Sequence, residues 1–199
     1  RKLGGAIDFI GKFVFKGKQK DQNTWQADLI VDSPQLRVKK FKFDDCHLET
    51  KFKDKFLTMP RITANPYGGT LAANAVIDFS QQNSQYVFQI TVRDIDIGEW
   101  KNDTDMRSKN LRGRFSANAD LGGFGNNLDT MKGKGQFQIS NGNFWELPVF
   151  SGLANILYIP GVSTIAFGEA RGTFTVSNKK IYTDDTVMSS QQMTLTGNG

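Results

Sequence analysis

The sequence predicts a mainly β protein: a long, curled antiparallel sheet, shaped as an open groove or folded over like a taco, with one short amphipathic helix near its C-terminal end. Three observations predict it. Apolar and polar residues alternate with period two through most of the 199 residues. The interruptions are short polar or Gly/Asn clusters, which favour antiparallel neighbours in a meander. A single segment shows helical spacing.

In order along the chain, Ile7, Phe9, Gly11, Phe13 and Phe15 alternate first, followed by Trp25, Ala27, Leu29 and Val31. Next come Leu71, Ala73, Ala75, Ile77 and Phe79, then Tyr86, Phe88, Ile90 and Val92. There the apolar set changes parity and continues at Ile95 and Ile97, which calls for a bulge near Arg93 and Asp94. Residues 111–121 alternate without a break, with Leu111, Gly113, Phe115, Ala117, Ala119 and Leu121 against Arg112, Arg114, Ser116, Asn118 and Asp120. A strand of this length spans roughly 35 Å, longer than most. Phe137 and Ile139, Phe174 and Val176, and Met193 and Leu195 complete the series.

The connections read as turns. Residues 65–69, Asn-Pro-Tyr-Gly-Gly, form a strong turn cluster, and 80–84 and 178–180 are polar breaks. Asn141-Gly142 reads as a hairpin turn. Residues 101–110 read as a polar excursion and 126–131 as a short helical turn. The helix is expected over about 147–158, where Leu147, Phe150, Leu153 and Leu157 recur on one face, with Pro148 at an early helical position and Pro160 ending it. It is too short to cross a bilayer. Its expected role is to cap the apolar face.

Charge and residue chemistry exclude more than they select. The net charge of +5 is mildly basic, and Phe and Gly, at 16 and 20 residues, suit a β protein with many turns. Lys51, Lys53 and Lys55 oppose Phe52 and Phe56, with Lys39, Lys40 and Lys42 just upstream. This basic outer face reads either as solvated edge lysines or as a contact with an anionic membrane. Cys46 and His47 are single residues of their types, and neighbours in a strand point to opposite faces, so they form no catalytic dyad. The pairs Asp44/Asp45, Asp94/Asp96 and Asp184/Asp185 lack calcium-loop spacing, and the glycines at 122–125 and 133–135 lack a phosphate-loop context. No catalytic residue, metal site or cofactor is expected. Phenylalanines and lysines fall on opposite parities, which argues against stacking of nucleic acid bases.

Such a sheet must cover its apolar face. It can pack on itself as a sandwich or barrel, or stay open and meet an apolar ligand or partner. The expected lining is Leu71, Ile77, Phe79, Phe88, Ile90, Val92, Leu111, Phe115, Leu121, Phe137, Ile139, Phe174 and Val176.

Three stretches carry a family resemblance. Residues 62–71 place a tyrosine and glycines before a long strand, and Leu111-Arg112-Gly113-Arg114-Phe115 opens another repeat. Residues 133–142, GKGQFQISNG, are followed by Leu147-Pro148-Val149-Phe150 and Leu153, and the pattern continues through 174–184 and 193–199. From about Pro60 onward the chain resembles the AsmA-like family of bacterial envelope proteins, which includes TamB and YhdP relatives. The resemblance implies a piece, over residues 1–199, of a longer bridge-like protein in the periplasm. Its parent would be anchored in the inner membrane by a helix outside this segment. The apolar groove would carry phospholipid or other acyl-chain lipid toward the outer membrane, with envelope proteins as further partners. A non-catalytic scaffold for envelope assembly is the alternative.

Overall fold

The computed structural model describes residues 10–18, 21–125, 127–143, 168–191 and 193–197. These residues hold twelve strands: β1 (Ile10–Lys18), β2 (Asp21–Val38), β3 (Phe41–Lys53), β4 (Phe56–Asn65), β5 (Thr70–Asp78), β6 (Gln85–Asp96), β7 (Arg112–Phe124), β8 (Lys132–Asn143), β9 (Glu169–Ser177), β10 (Lys180–Tyr182), β11 (Thr186–Ser189) and β12 (Thr194–Gly197). They form one antiparallel sheet in chain order, with β10 as a side branch on β9. The sheet is open and does not close into a barrel. Among the described residues, the substantial contacts between elements run between neighbours along the sheet, between β7 and the 3-10 turn that follows it, or around the small helical plug described below. The expected helix at 147–158, with Leu147, Phe150, Leu153 and Leu157, lies outside the described residues.

The strands run between two margins. One carries the turns at 39–40 and 66–69 and the excursion between β6 and β7. The other carries the turns at 54–55, 79–84, 125–131 and 178–179. We call them the plug margin and the turn margin.

Bulges shape the sheet. The register shifts between Val92 and Ile95, with Asp94 at φ 55°, so the bulge expected from the parity switch is present. A second shift in β4, between Met59 and Ile62, falls at Pro60, where a residue without an N–H does least harm to the ladder.

Two sequence readings are corrected. Asn141-Gly142 is not a hairpin turn: both residues lie inside β8. Arg112 pairs with Asn143 and Arg114 with Ser140, so β8 carries one extra residue and Asn141 takes φ 52° as a bulge. Asn-Gly supplies left-handed backbone, and a bulge uses it as readily as a turn. Residues 51–56 are likewise not one strand. Asp54 and Lys55, both at positive φ, make a two-residue hairpin turn, so Phe56 pairs with Lys53 and leaves the side of Phe52. The turns expected at 65–69, 80–84 and 178–180 are found, the last confined to 178–179 because Lys180 opens β10, and a 3-10 turn at Leu128–Thr130 occupies the predicted helical turn.

The excursion between β6 and β7 holds more structure than its polarity suggests. Asp96 caps a four-residue helix, α1 (Ile97–Trp100), by accepting from the Glu99 N–H at 3.0 Å, and a 3-10 turn at Lys101–Asp103 follows. Ile97 is buried with Leu111, Ile139, Ala170 and Met188, while Trp100, Met106, Phe115, Phe137, Met193 and Leu195 pack around them. The Tyr67 hydroxyl, in the β4–β5 turn, donates to Asp103 at 3.0 Å, and burial raises its pKa. Lys40 pairs with Asp105 at 3.2 Å, and the Asp96 N–H donates to the Tyr67 carbonyl at 3.0 Å. The plug is therefore stitched to two neighbouring turns.

Candidate functional site: the apolar face of the sheet

Register converts the alternation into rows. Val31, Leu48, Ile62, Ala73, Ile90, Ala119, Gly135 and Phe174 stand opposite one another from β2 to β9. At ~4.8 Å per strand this apolar row is on the order of 34 Å long. A parallel row runs Ala64, Leu71, Val92, Ala117, Phe137 and Gly172. A third, at the plug margin, runs Ile95, Phe115, Ile139, Ala170, Met188 and Leu195.

Eleven of the thirteen predicted lining residues fall on this face in register: Leu71, Ile77, Phe88, Ile90, Val92, Phe115, Leu121, Phe137, Ile139, Phe174 and Val176. Ile139 and Val176 are buried there, and the other nine are half-buried. Phe79 lies just beyond β5 at the turn margin, 44% exposed, its ring centre 6.4 Å from that of Phe52. Leu111 precedes β7 and belongs to the buried core under α1. Sequence reading missed Phe52, Leu57 and Ile62, which extend the face through β3 and β4. The signal was there as period two, broken by the Asp54-Lys55 turn and the Pro60 bulge. It also missed Trp100 and Met106, which carry the plug and have no periodicity to reveal them.

Small residues keep the middle of the face low. A Cβ on Gly135 would collide with the Asn118 carbonyl and the Phe174 ring, and one on Gly172 would come within 3.2 Å of the Phe137 ring. Both phenylalanine rings thus lie against glycine backbone. This buries their edges and leaves a shallow, apolar surface. Among the described residues no second layer covers the face away from the plug.

The opposite face is polar. Asn74 donates to Gln89 at 3.2 Å, and Gln89 donates to Asp120 at 2.8 Å, forming a cross-strand ladder. A shallow depression of about 500 Å³ sits there, bordered by Arg61, Thr63, Asn74, Thr91 and Asn118. His47 faces this side, 2.6 Å from Asp32 and 3.1 Å from Glu49. Its hydrogen bonds to these carboxylates raise its pKa. The neighbouring Cys46 points the other way, its thiol donating to the Phe43 carbonyl at 3.5 Å, and burial raises its pKa. The aspartate pairs serve the fold. Asp45 accepts from Asn65, Asp185 from the Thr173 N–H, and Asp96 pairs with Arg114 at 3.5 Å. The glycines at 133 and 135 are strand residues. Among the described residues no cluster of three metal-ligating side chains occurs, and no helix is long and apolar enough to cross a membrane.

Comparison with family models, curated proteins and solved structures finds no match.

Proposed function

We propose that this chain is a segment of a bridge-like lipid carrier whose apolar face shields acyl chains while headgroups stay in water. The observation that carries this reading is the unbroken apolar row from Val31 to Phe174, half-buried and, among the described residues, without a second protein layer away from the plug. A soluble monomer does not normally leave so large an apolar surface to water. Each buried methylene is worth about 0.8 kcal/mol, so an acyl chain and this face stabilise each other. Because the row repeats the same surface from strand to strand, a chain can move along it without leaving apolar surroundings. No catalytic group is required. The resemblance to the AsmA-like family supports the same reading and, with it, a periplasmic location, an inner-membrane anchor on the parent protein and a role in outer-membrane lipid homeostasis.

Native mass spectrometry with lipid extraction of the purified chain tests it. Lipid is expected to co-purify, and Ala73→Gln with Ala119→Gln, mid-row, is expected to remove most of it by placing amides in the lane. A chain that carries no lipid and binds no lipophilic probe is instead a non-catalytic scaffold for envelope assembly.

A further inference from the structure

The polar face carries single exposed apolar side chains at Ile30 and Tyr182, 42% and 40% exposed, and gathers three more in one place. Next to the turn margin, Phe56, Val87 and Phe124 stand on the polar side, 41%, 59% and 51% exposed. Register brings them together. One row runs Lys53, Phe56, Asp78, Gln85 and Phe124, and the next runs Lys51, Thr58, Val76, Val87, Gly122 and Lys132. An exposed apolar strip across β4 to β7 therefore has lysines at both ends. Phe79 adds a further exposed ring at the same margin. Among the described side chains near this margin, Lys16, Lys51, Lys53, Lys55, Lys132, Lys179 and Lys180 outnumber Asp28, Asp54, Asp78 and Asp129. Asp129 is already held by Lys179, and Asp78 by the Ser80 N–H at 2.7 Å. Lys53 also lies 3.9 Å from Asp54, which leaves Lys16, Lys51, Lys55, Lys132 and Lys180 against Asp28 and Asp78, whereas charges at the plug margin pair as Lys40–Asp105 and Arg114–Asp96.

We infer that this strip docks on an anionic bilayer surface. Its chemistry matches that partner in both parts. Aromatic and aliphatic side chains settle at the headgroup level, and flanking lysines meet lipid phosphates. Solvated edge lysines would guard against aggregation equally well on a polar strip, so they give no reason for Phe56, Val87 and Phe124 to be exposed between them. The surface is on the opposite face from the apolar rows, so the inference stands whether or not those rows hold lipid. Docking here would bring the Phe52–Phe79 lip of the apolar face to the bilayer.

Co-sedimentation with vesicles of mixed phosphatidylglycerol and phosphatidylcholine, against phosphatidylcholine alone, tests it. Binding is expected to the mixed vesicles, weakened by high salt, and at least about tenfold poorer to the neutral ones. Lys51→Gln/Lys53→Gln/Lys132→Gln is expected to lower affinity about a hundredfold, while arginine at the same three positions retains it. Phe56→Ser/Phe124→Ser is expected to lower it about tenfold. Retention of the parent chain's circular dichroism and of any co-purified lipid in these variants separates loss of docking from misfolding or a damaged apolar face. No binding by the parent chain, equal binding to both vesicle types, or unchanged binding by the glutamine and serine variants overturns the inference. Absence of vesicle binding would assign the strip to a protein partner.

Discussion

The two margins of the sheet are built from the same strands yet solve opposite problems. At the plug margin, Ile97, Leu111, Ile139, Ala170 and Met188 are buried under a helical excursion that is tied to neighbouring turns by Tyr67–Asp103 and Lys40–Asp105. At the turn margin the strands end in short hairpins, and Phe56, Phe79 and Phe124 stay exposed. The difference teaches that strand alternation supplies an apolar face but no core. Among the described residues, the cluster of buried side chains forms where an excursion outside the sheet folds back over that face. Stability is expected to concentrate at one margin and surface chemistry at the other.

The sharpest way to break this comparison is to truncate one residue at each margin. Leu111→Ala removes a side chain that is 2% exposed and is expected to lower stability by about 3 kcal/mol in urea unfolding. Phe124→Ala, at 51% exposure, is expected to change it by no more than about 0.5 kcal/mol. Equal losses would mean that the margins are not distinct. Between them, Gly135→Ala is expected to lower the thermal midpoint through a loss of about 1–3 kcal/mol, because the new methyl meets the Asn118 carbonyl and displaces the Phe174 ring. Asp96→Ala uncaps α1 and releases Arg114, with an expected loss of about 1 kcal/mol. Its effect should localise as faster amide exchange at the plug margin and not at the turn margin.

The smallest effect is expected on the polar face. Hydrogen bonds to Asp32 and then Glu49 lift the folded-state pKa of His47, so the protonated ring favours the native state. That contribution is full below the unfolded value near 6.5 and is lost as pH rises through the lifted value. His47→Asn should therefore lower the thermal midpoint more at acidic pH than at pH well above neutral. A deficit that grows with pH would contradict the assignment.

How much of this was legible in the sequence can be judged from particular residues. Ile90, Ala119 and Leu121 announced their face by parity alone, since successive strand residues point to opposite sides. The switch from Val92 to Ile95 announced its bulge in the same way. Asn141-Gly142 misled because left-handed backbone serves a bulge and a turn equally. Phe56 misled because the Asp54-Lys55 turn reverses the chain and resets which side follows. The plug was invisible: Trp100 and Met106 sit in a polar stretch, and the side chains that recruit them lie on β7, β8, β9 and β11, distant in sequence.

The sequence by itself therefore determined that the chain forms long strands and which residues share a side, because a period of two is a local property of extended backbone. The tertiary structure alone decided the rest. Hydrogen-bond register aligned Val31 with Phe174 across eight strands, and bulges kept the faces consistent. Packing chose one margin for a core and left an apolar strip exposed at the other. These depend on which strands meet and where, and that is settled by contacts between distant residues.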